Sequence, residues 1–338
     1  MDMIPNIKVL VAMAVAGLSV VIVIVGIGVY LYYITPSNGL VGSAKTTPSV
    51  PANASVTTVP ANATVQNTTH NPSGPASQQF QVGAHPVLTV KGHKGDINVH
   101  AGSAGTINVA VYKHGTHQAP DPKVVRVLYD QATDAQGRKH ITVSSELASK
   151  EIDYDISVPA TTEAEVTVDA GTISVRGIAA IAIDAGSGSL ALDDIHGPVN
   201  VRTDSGDITA KHIVGAMTME GSSGSIRADD VHGSLKATTT SGDVVAGDAV
   251  LNGQSILETM SGSVSFSGSM AASGSYQLET QSGDIDLTLP ENAAFELHPN
   301  INVGSINNEF GGEQVGRMPR AQITVNIVSG SLNLNKGD

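Results

Sequence analysis

Ser205-Gly206-Asp207-Ile208-Thr209-Ala210-Lys211 is answered 18 residues later by Ser223-Gly224-Ser225-Ile226-Arg227-Ala228-Asp229. After another 18 comes Ser241-Gly242-Asp243-Val244-Val245-Ala246-Gly247. The shared phrase is a Gly, a polar residue, then an aliphatic. It recurs at Gly171, Gly188, Gly262, Gly283, Gly304 and Gly330, nine times in all between residues 171 and 334, in steps of 17, 18, 18, 18, 20, 21, 21 and 26. A period this short means a solenoid, because one repeat cannot bury an apolar face by itself.

Aligning the repeats on their Gly assigns the faces. Two residues after it stand Ile173, Leu190, Ile208, Ile226, Val244, Val264, Ile285, Ile306 and Leu332. Four after it stand mostly Val, Leu, Ala and Phe, and five before it Val166, Ile183, Val201, Met219, Ala237, Leu257 and Leu278. Strand alternation puts all three columns on one inward face. Ser precedes the Gly in seven of the nine copies, the signature of a tight bend whose Gly takes positive φ. Outward columns alternate in charge: Arg176, Asp193, Lys211, Asp229 in one register and Asp184, Arg202, Glu220 in another. Parallel turns would set these about 4.8 Å apart, where opposite charges help and like charges hurt.

The predicted fold is therefore all-β, a single-stranded parallel β-solenoid over 161–338. It is preceded by irregular β lead-in turns over 80–160, such as Val87-Leu88-Thr89-Val90, Asp96-Ile97-Asn98-Val99 and His140-Ile141-Thr142-Val143. Before them the composition changes twice. Residues 9–33 are apolar and uncharged, long enough for one membrane helix, since about 20 apolar residues cross a core of roughly 30 Å. The run is too long for the apolar part of a cleavable signal peptide, about 7–15 residues, although Gly42-Ser43-Ala44 would suit cleavage. Residues 34–79 form a Thr/Pro/Asn-rich stalk holding three glycosylation sequons at Asn53, Asn62 and Asn67. Residues 1–8 become a short cytoplasmic end, and the solenoid faces outward from a single-pass cell-membrane protein.

Composition narrows the chemistry. The 338 residues carry no Cys, no Trp and 3% aromatic residues. Disulfides and thiolate metal sites are excluded, and the core is thin and aliphatic. A net charge of -13 argues against nucleic acid, which needs clustered Lys and Arg. Asp194, His212 and Asp230 share an outward register and are the candidate metal or acid–base residues, because two carboxylates flanking an imidazole suit a divalent ion. The same register also reads as one more surface charge ladder. His196 and His232 stand two turns apart, about 9–10 Å, too far to share an ion. His114 and His117 flank a loop. The acidic Ser-Gly-Asp turns leave weak calcium binding open, and no other cofactor is indicated.

The chain resembles the putative-adhesin β-solenoid domains of bacteria and archaea, a domain of unknown function. The resemblance rests on Asp155-Ile156-Ser157-Val158-Pro159, then Ala170-Gly171-Thr172-Ile173-Ser174-Val175-Arg176-Gly177 and its repeats, and covers about residues 80–338. It implies a β-solenoid and brings no catalytic residues with it. The expected function is structural or adhesive: a membrane-anchored solenoid binding surface glycans, a surface layer, other cells or another surface protein. A polysaccharide-active enzyme using Arg202 or Lys211 is one alternative, disfavoured because evenly spaced turns leave no cleft. The other is a filament subunit joined through the rung Ser329-Gly330-Ser331-Leu332-Asn333-Leu334, taken as the uncovered end of the stack.

Overall fold

The computed structural model describes residues 77–121, 125–145 and 151–337. The chain divides into two units, 1–62 and 63–338, and every described residue lies in the second. The expected membrane span 9–33, the sequons and nearly all of the stalk lie outside the described residues. Among those residues every regular element is a strand, and no helix is long and apolar enough to cross a membrane.

Each regular turn contributes two strands, one to each of two facing parallel sheets. Val199–Ser205 runs in the first sheet, the chain bends at Gly206-Asp207, and Ile208–Val214 returns in the second. A corner at Gly215 then starts Met217–Ser223, which lies parallel to Val199–Ser205 with Val201 opposite Met219, while Ile208 faces Ile226 across the other sheet. The predicted solenoid is thus a flattened one with two strands per turn. Val199, Val201, Ile208, Ala210 and Ile213 point inward and are at most 2% exposed. Beyond the three columns read from the sequence, Val199 and Ile213 belong to two more, seven residues before and after the Gly, and a further inward column is partly polar: Thr203, Thr239, Thr259 and Thr280 are buried just before the bends. Their hydroxyls are satisfied locally. Thr239 donates to the Gly224 carbonyl at 3.0 Å, Thr259 to Gly242 at 2.8 Å and Thr280 to Gly262 at 2.8 Å, so at these three bends a buried polar group ties the bend to the one before it, while Thr203 donates to Ser205 of its own turn at 3.3 Å.

The bends explain the Gly. Gly206 has φ of 130°, and a Cβ built on it would overlap the carbonyl oxygen of Gly188 in the preceding turn. The same overlap, Gly on the Gly before it, recurs along the stack. The residue after the Gly is used too. Asp207 Oδ1 accepts from Ser225 N–H at 2.8 Å, Ser225 Oγ from Asp243 N–H at 3.2 Å, and Asp243 Oδ1 from Ser263 N–H at 2.8 Å. The Asp/Ser alternation therefore caps the N–H of each following bend as well as separating like charges.

Both ends depart from chain order. At the N-terminal end the rung Val87–Lys91 with Ile97–Ala101 stacks directly on Glu163–Ala170 and Ile173–Arg176, and Lys139–Ser145 with Ile152–Val158 lies beyond it. Gly95-Asp96-Ile97 is thereby a tenth copy of the phrase, with φ of 117° at Gly95 and Gly171 packed upon it. Part of the expected lead-in is true solenoid. The rest, Thr106–Lys113, Val127–Thr133 and Ser77–Gln81, closes the end with antiparallel strands.

At the other end the sequence expectation needs correction. The rung Ala321–Ser329 with Leu332–Gly337 is not terminal. It is inserted between Ser275–Pro290 and the rung Phe295–Val303 with Ile306–Asn308. The 26-residue step from Gly304 to Gly330 contains the loop that carries the chain back. All rungs share one parallel register, so the repeat phrase identifies a rung without saying which neighbour it takes.

The bend contact predicts a contrast between two glycines. Gly206→Ala should lower stability by about 2–3 kcal/mol through positive φ and backbone overlap. Gly221→Ala should stay within about 1 kcal/mol of the parent, since its Cβ would meet Thr239 Oγ1 at an ordinary 3.5 Å. Denaturant melts of the two variants check this; equal losses would refute the assigned role of the bend.

Candidate functional surface

The candidate residues Asp194, His212 and Asp230 occupy one corner of the second sheet, six residues after each bend Gly. All three have positive φ, 59°, 52° and 53°, as does Asp248 at 50° in the next turn. Gly177 and Gly268 hold the same place in the flanking turns, also at positive φ. This is a backbone requirement. Left-handed geometry inserts a second outward residue, so Lys211 and His212 both face solvent before Ile213 turns inward. Asp and His, along with Asn, are the side chains that tolerate this geometry best after Gly. The column Gly, Asp, His, Asp, Asp, Gly carried that signal in the sequence.

The three side chains do not converge on one point. His212 Nδ1 contacts Asp193 Oδ1 at 2.7 Å, while its Nε2 lies 4.0 Å from Asp230 Oδ2. Asp194 is the neighbour of His196 at 3.7 Å, and Asp230 of His232 at 3.1 Å. The result is a string of exposed imidazole–carboxylate pairs along the corner. The hydrogen bond that His212 donates to Asp193 raises the His212 pKa above its ordinary value, and the charges of Asp193, Asp230 and Asp194 add to this.

Among the described residues, the group whose ligand-type atoms do lie together is Asp96, His114 and Asp153, all within 4.8 Å. The first and third were not singled out from the sequence, because they lie 57 residues apart, Asp96 in a bend and Asp153 in the strand Ile152–Val158. Their hydrogen bonds account for the arrangement. Asp153 Oδ1 receives His114 Nδ1 at 2.7 Å and Asp96 N–H at 2.8 Å, and its Oδ2 receives Gly115 N–H at 3.1 Å. Asp96 Oδ1 receives Thr172 N–H at 2.9 Å. Asp153 thus fastens the 113–118 loop to the rung beneath, and its hydrogen bond raises the His114 pKa. His117 lies against the Tyr112 ring at 5.8 Å.

Charge alternation holds in register for Arg176, Asp193, Lys211 and Asp229, and for Asp184, Arg202 and Glu220. It fails farther along, where Glu258 sits directly opposite Glu279. Burial pushes the Glu258 carboxyl up, and the charge of Glu279 adds to the shift. Arg202 lies in the first sheet and Lys211 in the second, so the two cations considered for polysaccharide chemistry are on opposite outer faces. Depressions are shallow. One of about 460 Å³ is lined by Ser77, Gln79, His100, Asn108, Asp155 and Ser157, and one of about 290 Å³ lies over Gly221 between Arg202, Glu220 and Thr238.

Residues 87–273, more than half of the chain, match the family described as Toastrack DUF4097. The chain belongs to the Toastrack DUF4097 family. The Toastrack match begins at the inserted rung 87–101, runs through the regular turns and stops before the rearranged C-terminal rungs. A solved structure described as "a putative cell adhesion protein from Clostridium sporogenes ATCC 15579" is similar over 78% of this chain and 100% of that one, at 12% identity and a TM-score of 0.20. No curated protein matches the chain.

The corner predicts a titration. His212 should titrate above the ordinary 6.5, and Asp193→Asn should return it toward that value in an NMR titration. A raised folded-state pKa stabilises fully below the unfolded value, and the contribution fades as pH rises through the folded one. His212→Gly should fold at least as stably as the parent at pH 8, whereas His212→Val should cost about 1–2 kcal/mol from the left-handed backbone. Equal melting of both variants would remove the backbone account of this column.

Proposed function

We propose that this Toastrack protein is a cell-surface scaffold with a structural or adhesive role. In this reading residues 9–33 anchor it in the membrane, the 34–79 stalk carries glycans on Asn53, Asn62 and Asn67, and the solenoid stands outside the cell. The observation that carries the reading is the pair of long outer faces. Their Ser, Thr, Asp, Glu, Arg and Lys columns repeat at strand spacing through the regular turns, and no loop interrupts them to build a deep cleft. Such a surface makes many individually weak polar contacts at once, and multivalent engagement turns these into useful affinity. Surface glycans, a surface layer or another cell supply the matching repetitive partner. The anchor supports the same reading, because a uniform face tethered to a membrane meets extended material rather than a diffusing small molecule.

Fluorescently labelled 77–338 should bind whole cells or members of a glycan array. Replacing the Asp184–Arg202–Glu220 column by Ser should weaken that binding about tenfold while the melting temperature changes little. Absence of binding to every glycan and cell type tried would sink the adhesive reading. Release of unsaturated sugars from uronate polymers, lost in Lys211→Ala or Arg202→Ala, would replace it with an enzymatic one.

A further inference from the structure

We propose that the outer C-terminal rung, Phe295–Val303 with Ile306–Asn308, is a docking edge for a second copy of this chain, joining two solenoids end to end about a twofold axis. The first observation is a break in the core column. The aliphatic two residues after the bend Gly is at most 1% exposed in Ile173, Leu190, Ile208, Ile226, Val244, Val264, Ile285 and Leu332, but Ile306 is 49% exposed. Beside it Val303 is 66% exposed, in an outward column that holds Ser in seven of the nine copies, and Val328 is 50% exposed in an outward column of the rung beneath. Val303 and Val328 stand in columns that face solvent in every turn, so Ile306 is the inward-type side chain at this end that a further rung would cover.

The capping of this end is confined to one half. Gln314–Val315 pairs antiparallel with Phe295 and Glu296 alone, and the Phe310 ring stands edge-on to Phe295 at 5.2 Å. Pro299 then removes one backbone donor, as prolines on edge strands do. From Asn300 to Asn308, no strand among the described residues pairs on the outer side. Edges are ordinarily guarded by charged side chains, Lys above all. Here residues 297–308 contain no Asp, Glu, Lys or Arg, in a chain of net charge -13.

These features select the occupant. Two acidic copies meet at this stretch without opposing charges. A twofold contact is self-complementary: each copy supplies the free edge and the small apolar side chains the other lacks. Under that symmetry the two strands run antiparallel, and an axis near Asn302 and Asn307 leaves both capped halves outside the contact. The opposite end of the stack is closed by antiparallel strands and does not continue the rung pattern, so head-to-tail growth lacks a matching surface. The inference does not depend on the adhesive role.

The absence of Cys gives a direct test. In the full-length chain in detergent, Asn307→Cys faces its own copy across the axis, within disulfide reach for directly opposed strand residues. Mild oxidation should give a covalent dimer that reductant reverses, about tenfold more than from Asn200→Cys on the middle of a sheet face. Adding Ile306→Lys should remove that excess while circular dichroism and melting stay as in the parent, and the cysteine-free chain should sediment as two copies. Equal crosslinking at the two positions, insensitivity to Ile306→Lys, or sedimentation as one copy or as an extending series would each overturn the proposal.

Discussion

Everything regular in this molecule depends on a backbone approach at the bend. A Gly at positive φ sits against the carbonyl of the Gly in the neighbouring turn, in the space where a side chain would stand. That contact sets the rung spacing at the tightest point, and parallel pairing follows because each bend has the same shape as the last. Once the bends are superposed, every residue falls into a column. Thr hydroxyls then reach the bend carbonyls from inside, and Asp or Ser side chains reach the bend N–H groups from outside. The two polar sets close hydrogen bonds that a tight turn would otherwise leave open.

Columns also dictate what the surface offers. The left-handed corner limits one outward position to Gly, Asp and His in this chain, so imidazoles and carboxylates gather there for conformational reasons before any chemistry is considered. The same corner raises the His212 pKa, since its imidazole meets Asp193 of the preceding turn. Opposite charges in register account for much of the outer faces, although Glu258 and Glu279 show that a like pair is tolerated where the side-chain amides of Gln277 and Asn326 donate to Glu279. What remains is a pair of polar faces with repetitive spacing, suited to repetitive partners.

Aromatic residues mark where the regular architecture stops. Turns between 163 and 251 contain none, because two closely facing sheets of Val, Ile, Leu, Ala and Met fill the space between them. Phe80, Tyr129 and Tyr154 pack into the N-terminal end, Phe295 and Phe310 into the C-terminal end, and Phe266 and Tyr276 into the longer turns. An open solenoid end exposes core, and large rings cover it with few residues. At the C-terminal end that cover stops halfway along the rung, which leaves Ile306 in solvent.

The sequence by itself determined the solenoid, the inward aliphatic columns, the bend glycines and the alternating outward charges, because each is a local demand repeated at a fixed step. It held the left-handed corner too, written in the Gly-Asp-His-Asp-Asp-Gly column, though charge alone made that column resemble a site. It could not give the order of the end rungs. Gly95-Asp96-Ile97 lies 76 residues before its neighbour Gly171, and the rung at 321–337 slips inside the rung at 295–308. Any two rungs with this phrase are chemically able to pair, so the phrase cannot choose between them. Loop reach and the fit of the end caps make that choice, and both exist only when the whole stack is assembled.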